Sequence, residues 1–128
     1  MAATQMLGGT TAAKYFAFRD QMGHPAMRAS IIYKAENGDA KTARLLRLHK
    51  MVTDGTRNFT NRMAKAFKKS PGEFFRLKAR MGRDIDKKPP EVAAIGHYML
   101  DSAEAAVVCR GDFGRRLLQE ASEFGKRE

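Results

Sequence analysis

Apolar residues recur three or four positions apart along most of this 128-residue chain, and that spacing limits the fold more than any other feature. Phe74, Leu77 and Met81 are one example, because residues at this spacing share one face of an α-helix. No segment shows the sustained alternation of a half-buried strand, and the residues that dominate the chain favour helix. With 43% hydrophobic residues, the chain has enough apolar side chains for a folded core. The sequence therefore predicts an all-α protein.

Glycine, proline and capping residues divide the periodic pattern into six or seven short helices, which we expect to form a compact bundle. The clearest boundary is Ser70-Pro71-Gly72-Glu73, where Ser70 can cap a helix that starts at the proline and Glu73 can complete a capping box. Gly55 is expected to close a helix as a left-handed cap. Residues 1–9 are predicted to be a flexible tail and residues 10–128 a single helical domain. The predicted helices are Thr10–Met22, Pro25–Glu36, Ala40–Val52, Asn58–Lys69, Pro71–Met81, Pro90–Cys109 and a last one from about Asp112 to Phe124.

The same spacing assigns apolar residues to the faces that pack inward. These faces contain Met27 in the second predicted helix, Met51 in the third, Phe67 in the fourth and Met99 in the sixth. Cys109, the only cysteine, is expected to be a small buried apolar group.

The positive charge of the chain, +10 overall, is concentrated in its middle third. Residues 41–88 contain fifteen Lys and Arg against four Asp and Glu, a net charge of +11, whereas residues 1–40 carry +1 and residues 89–128 carry −2. Positive charge segregated in this way is typical of proteins that bind a polyanion, most often nucleic acid. The basic surface is therefore predicted to lie on residues 41–88.

Three consecutive predicted helices in this segment each carry a row of three basic residues opposite the apolar face. Like charges at helical spacing repel one another, so a ligand of opposite sign is expected to compensate them. Arginine outnumbers lysine in the rows, and its planar fork fits phosphate oxygens, which carry no sequence information. Phe75, which falls off the apolar face of its helix, is the candidate for stacking on a base. The predicted nucleic-acid-binding residues are Arg44, Arg47, Lys50, Arg62, Lys65, Lys69, Arg76, Arg80, Arg83, Lys87 and Lys88.

Two alternatives to this function remain open at the level of sequence. The predicted helices on either side of Gly55 have the gross shape of a helix-turn-helix, as in DNA-binding accessory proteins of plasmids or phages. A protein-interaction adaptor would instead use the basic face to dock an acidic partner. The three histidines are scattered, and no metal-ligand or phosphate-loop motif occurs, so we predict no enzymatic activity, no cofactor and no metal site.

A chain of this size is expected to work in several copies or as a subunit of a larger nucleoprotein complex. Its near-neutral first helix and acidic last third would supply the contacts, with Phe16, Phe18, His97 and Tyr98 as candidates. In size, helical class and charge the chain resembles the small subunits of CRISPR effector complexes and helical nucleocapsid proteins, with no shared motif. A single cysteine and the lack of a long apolar run predict a cytoplasmic protein, or a component of a nucleoprotein particle, without a membrane partner. The nucleic acid is RNA or DNA.

Overall fold

A computed structural model describes residues 10–110 of the chain, with only the backbone of Arg110, and the helices account for most of that range. No strand occurs between residues 10 and 110, so the all-α prediction is confirmed, with five helices over this range where six or seven were expected for the whole chain. The predicted tail over residues 1–9 and the predicted last helix from Asp112 lie outside the described residues. The helices are α1 (Ala12–Met22), α2 (Pro25–Glu36), α3 (Ala40–Lys69), α4 (Pro71–Asp86) and α5 (Pro90–Arg110).

Side-chain caps and prolines fix where these helices begin. Thr11 accepts a hydrogen bond from the backbone N–H of Lys14 at 3.2 Å, and Asp39 accepts one from Thr42 at 3.1 Å. These bonds satisfy amide groups that have no partner within the first turn of a helix. The bonds from Thr42 also lower the pKa of the Asp39 carboxyl, which is fully exposed. Gly38, just before this cap, has a φ of 95°, a conformation that favours glycine.

α3 is one continuous helix of 30 residues, and the predicted turn around Gly55 is wrong. Residues 53–55 are helical, so the turn that would separate the two helices of a helix-turn-helix is not formed. A Cβ atom at Gly55 would meet the terminal methyl of Met99, which is the end of a flexible side chain and can shift. This glycine therefore lies inside a helix and does not end one.

α4 also extends further than the sequence predicts, to Asp86 instead of Met81. Ile85 lies beyond the predicted end of the helix. It is 8% exposed and follows Met81 by four residues on the same face. Burial of this side chain continues the apolar face by one more turn. The linker before α5 is thereby reduced to the three residues 87–89.

The chain is divided into two compact units. The first unit comprises Met1–Asp54 and Ile85–Gly96, and its core is centred on the fully buried side chain of Tyr15. The backbone N–H of Ala12 donates to the Glu91 carboxylate, which joins the start of α1 to the start of α5 within this unit. The prediction of a single domain stays a prediction. The other buried apolar residues of the first unit are Ala12, Phe18, Ile31, Leu48, Val52, Ile85 and Ile95.

The second unit comprises Gly55–Asp84 and His97–Glu128. Phe74 and Met63 are fully buried in its core, and the Phe67 ring meets the Phe74 ring edge-on with centroids 6.5 Å apart. An ion pair between Lys78 and Glu104, each with about a third of the side chain exposed, flanks this core. The other buried apolar residues of the second unit are Leu77, Met81, Leu100, Ala103 and Val107.

Several predicted core residues lie elsewhere. Met27 and Met51 are 43% and 44% exposed, and Cys109 is exposed, so all three assignments to the interior are wrong. Phe67 and Met99 are half-buried. The periodicity places a residue on a helix face correctly, but the width of the buried stripe depends on the neighbouring helices.

Candidate nucleic-acid interface

The junction between α3 and α4, which we call the corner, positions the candidate interface. Only Ser70 separates the two helices, and its hydroxyl accepts a hydrogen bond from the Glu73 backbone N–H at 3.1 Å. Pro71 occupies the first helical position, where a missing N–H does no harm. The predicted cap and proline start are confirmed. The edge-on contact of Phe67 and Phe74 then packs the end of α3 against the start of α4.

A groove of about 500 Å³ runs along this corner, and we call it the basic groove. The lining positions on the two helices have the same spacing, with intervals of three, one and three residues on each. This is the spacing of a single helix face, so each helix contributes one wall. The lining residues are Arg62, Lys65, Ala66 and Lys69 from α3 and Glu73, Arg76, Leu77 and Arg80 from α4.

The two uncharged lining residues, Ala66 and Leu77, form the floor of the basic groove. Helical spacing places Ala66 between the basic face of α3 and the buried Met63, and places Leu77 likewise beside the buried Phe74. Leu77 is 9% exposed, whereas all five cations that line the groove are exposed. The charged groups therefore lie along the rims, above an apolar base.

The electrostatic balance of the groove is strongly positive, with five cations against one carboxylate. Glu73, the carboxylate, accepts from the guanidinium of Arg76 at 2.9 Å, and both side chains are largely exposed. Lys78 is adjacent in sequence, but its ammonium group pairs with Glu104 and does not line the groove. The positive field therefore comes from residues on the two facing walls.

Of the predicted binding residues, the structure brings five together and leaves the others outside the basic groove. Arg62, Lys65, Lys69, Arg76 and Arg80 line it. The remaining six are exposed but are not lining residues: Arg44, Arg47, Lys50, Arg83, Lys87 and Lys88.

Phe75, the predicted stacking residue, is 52% exposed and does not line the groove. Its ring meets that of Phe74 at a centroid distance of 5.2 Å.

Sequence reasoning missed Glu73, Ala66 and Leu77 as lining residues. The repeated spacing of three, one and three residues was the signal that could have identified all three.

A second, smaller cavity of about 340 Å³ lies in the first unit beside His49. The hydroxyl of Tyr15 lies 3.2 Å from Nδ1 of His49, and the ring of Phe18 packs edge-on against the imidazole. Burial lowers the pKa of His49, and the positive charge of Arg19 lowers it further. Phe18 is only 5% exposed, so it belongs to this core and is not an available contact residue.

No group of three or more His, Cys, Asp or Glu side chains in residues 10–110 could hold a metal ion. Residues Pro90–Cys109 of α5 are long and apolar enough to span a membrane, contrary to the expectation that no apolar run reaches this length. The core helix of a soluble protein meets the same criterion of length and composition.

Comparison of the chain with known protein families, with curated proteins and with solved structures gave no match.

Proposed function

We propose that the protein binds the phosphate backbone of RNA or DNA in the basic groove, without reading base sequence. The observation that carries this proposal is the convergence of five exposed cations from two helices on one groove that holds a single carboxylate. An ordinary solvated helix face mixes charges of both signs, because opposite charges at helical spacing stabilise the helix. A groove with one dominant sign is stabilised instead by a ligand of the opposite sign.

The shape of the groove supports a chain-like ligand. Cations on both walls can approach a phosphate backbone from two sides, and the long side chains of Arg and Lys can adjust to it. Contacts of this kind supply affinity and orientation but no sequence information. Arg83, which is exposed in the second unit and does not line the groove, would add to the positive field that attracts the ligand.

The proposal includes a role as a repeated or accessory subunit of a larger nucleoprotein complex. One groove of this size contacts only a short stretch of a long polyanion. Met27, Ile32 and Tyr33 on α2 are 43%, 40% and 66% exposed, but helical spacing spreads them around the helix, so they do not form one apolar patch. Native mass spectrometry with an oligonucleotide long enough for several copies should detect complexes with more than one protein chain. A strict one-to-one stoichiometry would contradict this part of the proposal.

The central test is the salt dependence of binding. We expect log K for single-stranded RNA, single-stranded DNA or duplex DNA to fall linearly with log salt, by about 0.7–0.9 per contacted phosphate. Replacement of Arg62, Lys65 and Lys69 with Gln should flatten the slope by roughly two to three units. The helical circular dichroism signal should remain, because all three side chains are exposed.

A matched control is the replacement of Lys14, Arg28 and Lys34 with Gln. These residues are also exposed, lie on α1 and α2, and carry the same total charge. The control should change the slope by less than one unit. Equal losses in the two variants would show that net charge matters and the groove does not. Binding to an acidic polypeptide, with none to RNA or DNA, would instead support an adaptor.

A further inference from the structure

Six charged residues line the basic groove, and all but one of them are basic. The exception is Glu73, which lies in the first turn of α4. The single carboxylate faces the ligand space of a groove otherwise suited to anions, and it pairs with Arg76 on its own wall.

We propose that Glu73 acts as an internal anion that holds Arg76 in the free protein and gives way to a phosphate when nucleic acid binds. This inference rests on the proposed function of the groove. Glu73 would then be a positioning residue with two effects. It keeps the Arg76 guanidinium oriented along the wall, and it lowers the affinity of the groove for any anion that cannot replace it.

The geometry of the pair suits such an exchange. The Arg76 guanidinium lies 2.9 Å from a Glu73 carboxylate oxygen, with the two side chains 72% and 49% exposed. Exposed ion pairs contribute little to stability, so a phosphate can take the place of the carboxylate with a small loss. The Glu73 backbone is fixed at the start of α4 by the hydrogen bond from its N–H to the Ser70 hydroxyl. The carboxylate can therefore rotate away while the helix remains intact.

The counterion balance distinguishes displacement from a merely structural role. When a phosphate takes Arg76, the freed carboxylate of Glu73 attracts a cation from solution, which offsets part of the counterion release. Removal of the carboxylate should therefore steepen the dependence of log K on log salt by up to about 0.7–0.9, the contribution of one phosphate. A residue that only stabilises the first turn of α4 would leave this slope unchanged.

The experiment compares Glu73→Gln with Asp101→Asn by titration of a single-stranded oligonucleotide at several salt concentrations. The hydrogen bond that caps α4 runs from the backbone N–H of residue 73 to the Ser70 hydroxyl, and glutamine retains it, so the helix start should be preserved. Asp101 is exposed in the second unit, does not line the groove, and loses the same charge. We expect Glu73→Gln to raise affinity about threefold to fivefold and to steepen the salt dependence. This gain in affinity corresponds to the loss of a surface ion pair of up to about 1 kcal/mol. Asp101→Asn should raise affinity less and leave the slope unchanged.

A double-mutant cycle with Arg76→Gln completes the test. The gain from Glu73→Gln should disappear when Arg76 is already absent. A gain of the same size in the Arg76→Gln background would overturn the inference, since the carboxylate would then act through its general field. If Glu73→Gln has no effect while the triple replacement of Arg62, Lys65 and Lys69 weakens binding, the inference fails and the proposed function stands. If the triple replacement also has no effect, both fail.

Discussion

The two units contain equal numbers of basic residues but use them differently. Over the described residues, each unit has ten Lys and Arg, against six Asp and Glu in the first unit and four in the second. In the first unit, Arg19 pairs with Asp20 at 4.0 Å and lines the smaller cavity beside His49. In the second unit, five of the ten cations converge on one groove.

This difference shows that the number of charges in a segment does not identify a site. Only Ser70 separates α3 from α4, and two rows with the same spacing, one on each helix, line a single groove. Some cations of the first unit also lie in the basic segment of residues 41–88. None of them lines the basic groove. The core that holds the walls together is therefore as important to the proposed function as the charges.

The largest expected effect concerns that core. Phe74→Ala removes a fully buried ring at the α3–α4 corner and should destabilise the protein by about 3–5 kcal/mol, with loss of nucleic-acid binding. Phe75→Ala is the matched control. Phe75 is 52% exposed and its ring packs edge-on against that of Phe74, so its loss should change stability by about 0.5–1.5 kcal/mol. Urea unfolding measures both.

The same pair of variants tests base stacking. Phe75 does not line the groove, so Phe75→Ala should leave nucleic-acid affinity nearly unchanged. A large loss of affinity with unchanged stability would restore Phe75 as a stacking residue. If the two alanine variants unfold at the same urea concentration, the corner does not depend on Phe74 and the contrast between the units is wrong.

Local signals in the sequence predicted most of the fold. The cap at Ser70 and the proline start of α4 depend on neighbouring residues alone, and both were predicted correctly. The continuity of α3 through Gly55 was missed, because a glycine inside a helix and a glycine that ends one look alike in the local sequence. Packing against distant parts of the chain decides between them and leaves no local pattern.

The candidate interface was predicted to a similar extent. The basic rows on α3 and α4 followed from helical spacing, and five of their residues line the groove. The sequence did not show which of the basic rows would line one groove. That depends on the relative direction of α3 and α4 at Ser70, which local residues do not specify. Sequence reasoning also treated Glu73 only as a capping residue, since its contact with the ligand space depends on the opposite wall.

A second comparison between the units uses one glycine from each. A Cβ atom at Gly96, in the first unit, would lie 2.9 Å from Cγ2 of the buried Ile85, whose branched side chain is stiff. Gly96→Ala should therefore destabilise the protein by about 1–2 kcal/mol, because overpacking outweighs the gain in helix propensity. At Gly82, in the second unit, the nearest atom would be Cδ2 of Leu100 at 3.9 Å, an ordinary contact.

Gly82→Ala should thus stabilise the protein by up to about 1 kcal/mol through helix propensity alone. Thermal unfolding of the two variants beside the parent measures the difference. The two substitutions make the same chemical change inside α-helices, so opposite signs report only on the space around each glycine. If both raise the melting temperature, the close approach of Ile85 and Gly96 is wrong.

The smallest expected effect is a pH dependence that belongs to the first unit. Burial lowers the folded-state pKa of His49 below the ordinary value of 6.5, so the unfolded chain binds the proton more readily. The stability from the neutral imidazole is complete above about pH 6.5 and decreases as the pH falls toward the lowered folded pKa. Between about pH 7 and pH 5, the melting temperature of the parent should therefore fall more than that of His49→Gln.

Tyr15→Phe should retain the pH dependence of the parent, because burial contributes more to the pKa shift than any other cause. Parallel curves for the parent and His49→Gln would show that His49 is as solvated in the folded protein as in the unfolded chain.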